Sequence, residues 1–289
     1  MAGGFARRRR CGQPACRGSF VVLPAAMTMS GSDPAALPRV VLSAVVPVRD
    51  EAPNILPLAG ELRAVLAAFA ARHGGAEIVY VDDGSADETP TRLAEAARLS
   101  GVPLRWRRHR VACGQSAAIA TGIAAAAGEW IATLDGDGQN DPADIPRLFD
   151  RALAEAGKRE PVLIAGWRKA RRDGWRKRAT SRLANRLRAA MLGDGTPDTG
   201  CGLKLFRRAA FLDLPRFDHM HRFLPALFLR AGGRVVSVAV NHRPRHAGRS
   251  HYGTLDRLCV GLVDLAGVYW LMRRSTRPDV VTPDQGARS

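Results

Sequence analysis

Three acidic residues and two glycines crowd into LDGDGQNDP, residues 134–142, at the end of the apolar run WIATL. The chain carries 44 Lys and Arg against 27 Asp and Glu, a net charge of +17, so acid gathered here asks for a cause. Asp-Gly pairs make turns, because glycine accepts positive φ and an aspartate bonds its own backbone. A calcium loop would use Asp135, Asp137, Gln139 and Asp141 in alternation. It is excluded, since the sixth position is Asn140 where glycine is needed and the twelfth is Pro146 where a bidentate glutamate is needed. A third chemistry is Mg²⁺ or Mn²⁺ held by two or three side-chain oxygens at a strand end, with a ligand's phosphates completing its coordination.

Two further acidic clusters follow apolar runs: Arg49-Asp50-Glu51 after VVLSAVVP, and Asp82-Asp83-Gly84 after EIVYV. The elements around them read as strands alternating with helices. VVLSAVVP (40–47), EIVYVDD (77–83), LRWRRH (104–109) and EWIATLD (129–135) are strand-like. NILPLAGELRAVLAAFAARHGG and GQSAAIATGIAAAA are helical, and Ser85-Ala86-Asp87-Glu88 has the S-x-x-E form of a capping box opening a helix to about Leu99. Such alternation predicts an α/β, doubly wound, Rossmann-like fold with a mostly parallel sheet covered on both faces. Ligands bind outside the carboxyl ends of these strands, so three of four strand ends put acid on one edge. No G-x-G-x-x-G follows the first strand and no G-x-x-x-x-G-K-[ST] occurs, which removes the usual phosphate cradles. A nucleotide would be held instead by a metal on its phosphates and by carboxylates on its base or ribose.

At 289 residues one main domain with tails is expected. Five cysteines (Cys11, Cys16, Cys113, Cys201, Cys259) form no C-x-x-C pair, so neither a zinc knuckle nor a disulfide framework is indicated, and a reducing cytosol fits. The basic excess implies an anionic partner: nucleic acid, small phosphate compounds or an anionic leaflet. Sparse aromatics, no nucleic-acid-binding signature and the acidic edge argue against nucleic acid. The first 30 or so residues lack acid and periodicity and read as disordered. A secretory signal across Arg7–Arg10 and FVVLPAAM, and a start at Met27 or Met29, are both open readings. No stretch approaches the roughly 18 uncharged apolar residues of a spanning helix.

From Ser43 to Tyr252 the chain resembles the family 2 glycosyltransferases of GT-A fold, in particular their polyprenyl-phosphate (dolichol-phosphate mannose synthase-like) branch. The motifs that carry it are VVPVRDE, VDDGSADET, LDGDGQNDP, WRKRATSRLANRL, DTGCGLKLFRR and RHAGRSHYG, in that order. The resemblance implies that Pro47, Glu51, Asp83 and Asp135 contact a UDP- or GDP-linked sugar donor. It implies that Asp135, Asp137 and Gln139 hold Mg²⁺ or Mn²⁺ against the diphosphate, with Asp135, Asp137 and Asp198 at the catalytic centre. Arg168, Lys177, Ser181, Asn185 and Arg245 would receive a polyprenyl phosphate. Lys177 stands where arginine is common and His251 where lysine is usual; lysine binds phosphate without the bidentate fork. The acceptor's phosphate oxygen is already ionised, so direct inversion needs no strong base, and Asp198 reads as an organiser of the site before a proton acceptor. A family 2 enzyme acting on a saccharide or other envelope acceptor is the alternative.

His219 and His221 are spaced i, i+2 and share no helix face, so a metal pair is not indicated; His221 and Arg222, at the start of a packed helix HRFLPALFLR, could line a sugar pocket. Cys201 reads as a small buried residue. The cationic run from Arg168 to Arg178 reads as a surface for anionic headgroups, and LDRLCVGLVDLAGVYWLMRR (255–274) as an interfacial amphipathic helix with Tyr269 and Trp270 at headgroup depth. The expected organisation is a basic extension over 1–38, a glycosyltransferase domain over 39–253, the helix over 254–274 and a flexible tail over 275–289. The expected placement is peripheral, on the cytoplasmic face of the inner membrane, with any permanent anchor on a separate transmembrane partner.

Overall fold

The computed structural model describes residues 39–155, 160–168, 188–244 and 254–274. The basic extension, the tail, and Lys177, Ser181, Asn185, Arg245 and His251 lie outside the described residues.

Seven strands form one sheet: β1 (Val40–Val48), β2 (Gly75–Asp82), β3 (Leu104–Arg108), β4 (Trp130–Thr133), β5 (Val162–Arg168), β6 (Lys204–Arg207) and β7 (Arg234–Val240). Their order is β3-β2-β1-β4-β6-β5-β7. β1 lies parallel to β2, in register Val48 opposite Asp82, and parallel to β4, with Ser43 opposite Ile131. β6 runs antiparallel to both β4 and β5, and β7 returns parallel to β5. β1, β2 and β4 are buried on both faces, which is why their sequences are continuous apolar runs. Because β2, β1 and β4 are neighbours, the three acidic strand ends stand side by side.

Helices α1 (Ala52–His73), α2 (Thr89–Arg98) and α4 (Ile145–Glu155) cover one face. Helix α3 (Gln115–Ala125), the short helices Arg208–Leu212 and Leu224–Arg230, and the C-terminal helix Thr254–Met272 cover the other. Among the described residues only α1 is long and apolar enough to cross a membrane. It is a core helix here, burying Ile55, Leu58, Leu62, Leu66 and Phe69 on the sheet.

The capping box is not formed. Helix α2 starts at Thr89 and Glu88 makes no side-chain cap bond. The Ser85 hydroxyl instead accepts the Asp50 N–H at 2.9 Å, and the Asp87 carboxylate accepts the Thr89 N–H at 2.9 Å. Ser85 is spent joining two loops, because that contact also fixes the end of β1.

Candidate active site

The ends of β1 and β2 are stitched into one shelf. Asp50, in the left-handed region at φ 53°, accepts the Ala86 N–H at 2.8 Å. The Glu51 N–H donates to the Thr89 hydroxyl at 2.9 Å, and the Ala52 N–H to Asp87 at 3.2 Å. The Glu51 carboxylate takes the Asn54 side-chain amide. Pro47 is buried in β1 opposite Val81, so what it offers the site is backbone.

Asp83 follows directly on β2 and is 4% exposed. Its Oδ1 accepts the Cys113 N–H at 2.7 Å and faces His109 Nδ1 at 2.8 Å; its Oδ2 accepts the Gly114 N–H at 2.8 Å. Burial alone would raise its carboxyl, but these bonds, that from His109 foremost, outweigh it and hold the group below its ordinary value. The ligand atoms of Asp83, His109 and Cys113 lie within 4.8 Å of one another. Three N–H groups already aim at that carboxylate, so the arrangement suits a hydrogen-bonding ligand better than a cation.

The acidic knot at the end of β4 divides in two. Asp141 is structural: it accepts the Ala143 N–H at 3.0 Å, the Asn241 amide at 3.2 Å and Arg243 at 2.6 Å, tying the turn Pro142–Asp144 to the end of β7. Asp135 and Asp137 belong to the centre. The Asp135 N–H donates to Asn140 Oδ1 at 2.9 Å, and the Gln139 N–H to Asp137 Oδ1 at 3.1 Å. Gln115, at the start of α3, donates to Asp135 Oδ1 at 2.9 Å. Burial, then the Asp137 charge, raise the Asp135 carboxyl, while Lys204 pulls it back. A Cβ on Gly202 would fall inside the Asp135 carboxylate, so only glycine lets that side chain lie where it does. The Asp135 and Asp137 carboxylates, close enough for the charge of one to raise the carboxyl of the other, form an oxygen donor pair of the kind that Mg²⁺ or Mn²⁺ takes.

Behind Asp135 stands a cationic floor. Lys204, 4% exposed, donates to the Thr199 carbonyl at 3.4 Å and to the Cys201 carbonyl. Burial lowers its ammonium, with Cys201 and Asp135 opposing. Arg168 clamps Asp198 through two bonds, Nε to Oδ2 at 2.6 Å and Nη2 to Oδ1 at 2.9 Å. Asp198 is thus paired with Arg168 in this arrangement. Cys201 is fully buried and burial raises its thiol, as for a packing residue. His221 Nδ1 lies 2.7 Å from the Ser116 hydroxyl, and burial, helped by the Lys204 and Arg222 charges, pushes it down to about 3, so the ring is neutral. His219 pairs with Asp264 of the C-terminal helix at 2.9 Å.

The structure therefore brings Asp83, Asp135, Asp137, Gln139, Arg168 and Asp198 to one edge. His109, Gln115, Gly202 and Lys204 join them and were not legible as site residues. Gly202 and Lys204 lie in DTGCGLKLFRR and Gln115 opens the helical stretch GQSAAIATGIAAAA, but the bond from Gln115 to Asp135 crosses 20 residues, and no local pattern encodes that.

A family model, "Glycosyl transferase family 2", matches residues 43–214. The chain is 36% identical over 240 residues to the dodecaprenyl-phosphate galacturonate synthase of Rhizobium johnstonii, covering 82% of this chain and 69% of that protein. It is 33% identical over 217 residues to an undecaprenyl-phosphate 4-deoxy-4-formamido-L-arabinose transferase of Edwardsiella ictaluri, covering 74% of this chain and 63% of that protein. The chain thus spans roughly two thirds of the length of these relatives. Among solved structures, glucosyl-3-phosphoglycerate synthase of Mycobacterium tuberculosis, in complex with Mn²⁺ and UDP, superposes with TM-score 0.57 at 20% identity, over 83% of this chain and 81% of that one. Mannosyl-3-phosphoglycerate synthase of Rubrobacter xylanophilus gives TM-score 0.59 at 19% identity, over 86% and 79%. The sheet is that of the GT-A fold, and with the family model covering residues 43–214, the chain belongs to glycosyltransferase family 2.

Proposed function

We propose that the protein transfers a sugar from a nucleotide-sugar donor to a polyprenyl phosphate, at the cytoplasmic face of a membrane and with inversion at the anomeric carbon. The acceptor class rests on the printed activities of the two relatives above. The observation that carries the donor half is the single edge on which Asp83, Asp135 and Asp137 meet, with a hydrogen-bonding carboxylate at one end and a carboxylate pair at the other.

In this reading Asp83 holds the base, Pro47 and Glu51 shape the shelf beside it, and Asp135, Asp137 and Gln139 hold Mg²⁺ or Mn²⁺. When bound, that cation supplies countercharge to the departing nucleoside diphosphate. Gln115 and Gly202 aim the Asp135 carboxylate. Lys204, buried beside it, opposes the rise that burial and the Asp137 charge impose on the Asp135 carboxyl. The Arg168–Asp198 clamp fixes a guanidinium at the acceptor side, where Lys177, Ser181, Asn185 and Arg245 would complete a phosphate site. An acceptor phosphate is ionised near neutral pH, so no side chain has to take a proton from it.

The test is transfer by the purified protein from UDP- and GDP-sugars to undecaprenyl phosphate in the presence of Mn²⁺. We expect a lipid-linked product, loss of activity with EDTA, and at least about a hundredfold loss in Asp137→Ala, since even groups behind a metal ligand are worth tenfold to a hundredfold. Activity that survives both treatments would refute the metal assignment. A product formed only on a saccharide would move the acceptor to the alternative class.

A further inference from the structure

Asp83 accounts for its own lone pairs. A carboxylate offers about four acceptor positions. Oδ1 has filled two, with the Cys113 N–H and His109, and Oδ2 one, with the Gly114 N–H. A single position on Oδ2 remains for a ligand. The loop that delivers these N–H groups can come this close because residue 84 is glycine at φ 71°, where a Cβ would collide with the backbone of Val111 and Ala112.

His109 is held for this task from two sides. Its backbone N–H donates to the Asp82 carbonyl at 2.8 Å, at the end of β3. Its Nε2 lies 2.9 Å from the Thr121 hydroxyl on α3. With Thr121 donating to Nε2, the proton sits on Nδ1 and points at Asp83; this tautomer is assigned from the network.

We infer that His109, braced by Thr121, makes Asp83 an acceptor for one further N–H only, and so selects a donor nucleotide whose base carries a single ring N–H between two carbonyls, the imide of uracil or thymine, over guanine. Guanine presents N1–H and its amino group in parallel and needs one free position on each carboxylate oxygen. On Oδ1 that position is taken. One guanine N–H would then be buried without a partner, which costs roughly ten- to a hundredfold in affinity. The imide places its single N–H on Oδ2 and leaves no N–H unpaired. The inference rests on the nucleotide-sugar reading and narrows it.

The experiment is calorimetric titration of the full chain, with Mn²⁺ present, by UDP, dTDP, GDP and N3-methyl-UDP, which lacks the imide proton. We expect UDP to bind at least about tenfold more tightly than GDP and than N3-methyl-UDP, and dTDP, which keeps the imide proton, to bind more tightly than GDP. His109→Leu empties one position on Oδ1, so the UDP to GDP preference should shrink, Thr121→Val should shrink it less, and His109→Gln, whose amide can donate, should restore part of it. A merely structural histidine would weaken all four nucleotides in proportion. GDP binding as tightly as UDP, or N3-methylation without effect, would overturn the inference while leaving the nucleotide-sugar reading standing, and neither comparison needs a variant. Absence of binding by every nucleotide would overturn both.

Discussion

Asp135 shows how much of the proposed chemistry depends on a residue with no side chain. Its carboxylate lies against Gly202 so closely that any Cβ would displace it. Gln115 steers the same group from α3. A misplacement of about 1 Å at a reacting centre can cost a hundredfold. Gly202→Ala should therefore cut transfer by about that factor, with a stability loss of only about 1–3 kcal/mol from overpacking. Thermal unfolding beside a transfer assay separates the two. Normal transfer in a folded Gly202→Ala protein would mean that Asp135 is not held for catalysis in this position. The neighbouring Asp141 has the same residue type and the same glycine-rich setting, yet its bonds to Ala143, Asn241 and Arg243 make it a structural tie. Composition pointed to the knot as a whole; only contacts to β7, about 100 residues away, separate its members.

The loop that leads into β6 carries Asp198 and is braced from its start. Arg188, in the helical segment 188–192, reaches Asp194 at 3.1 Å, the Thr196 carbonyl at 2.9 Å and the Thr199 hydroxyl. Asp194 is fully buried, and burial pushes its carboxyl up to about 6, with Arg188 pulling the other way. A carboxyl raised on folding binds its proton more tightly in the native state. Its contribution to stability is thus complete below about pH 4 and is lost as the pH rises through about 6. The displacement corresponds to at most about 3 kcal/mol. Asp194→Asn keeps the acceptor oxygen and removes the titration. Urea unfolding between pH 4 and 8 should show the wild type falling relative to this variant as pH rises, and parallel profiles would exclude the effect. At this level the sequence was readable where burial is symmetrical: the alternation of strands and helices up to β4 follows from continuous apolar runs in β1, β2 and β4. The reversal at β6 was not, since a four-residue strand has no periodicity that records its direction. Ser85-x-x-Glu88 failed for a related reason: a genuine local pattern yielded to a bond across 35 residues, from the Asp50 N–H.

A net charge of +17 on a chain whose proposed centre is acidic needs a surface to explain it. The C-terminal helix supplies part of one. It packs through Val268, 2% exposed, is pinned by Arg230 to the Leu271 carbonyl at 3.0 Å, and meets His219 through Asp264. Its outer face is Leu262, Val263, Ala266, Gly267 and Trp270, spaced i, i+1, i+4, i+5, i+8, with Val263 72% and Trp270 61% exposed. Arg273 and Arg274 close it, stacked on Tyr269 and Trp270. An apolar stripe ending in aromatics and arginines is the pattern of a helix lying at a headgroup boundary, the setting in which a lipid-phosphate acceptor would be met. Burying Val263 and Trp270 in acyl chains would contribute about 1.5–3 kcal/mol each, and each near-surface cation about 1 kcal/mol. Val263→Asp with Trp270→Ser should then reduce co-sedimentation with phosphatidylglycerol vesicles at least about tenfold, while Mn²⁺-dependent nucleotide binding is unchanged because both residues lie outside the proposed centre. High salt should weaken the wild type's residual attraction by screening the cations. Equal sedimentation of wild type and double variant would take the helix out of any membrane contact and leave its apolar face to another partner.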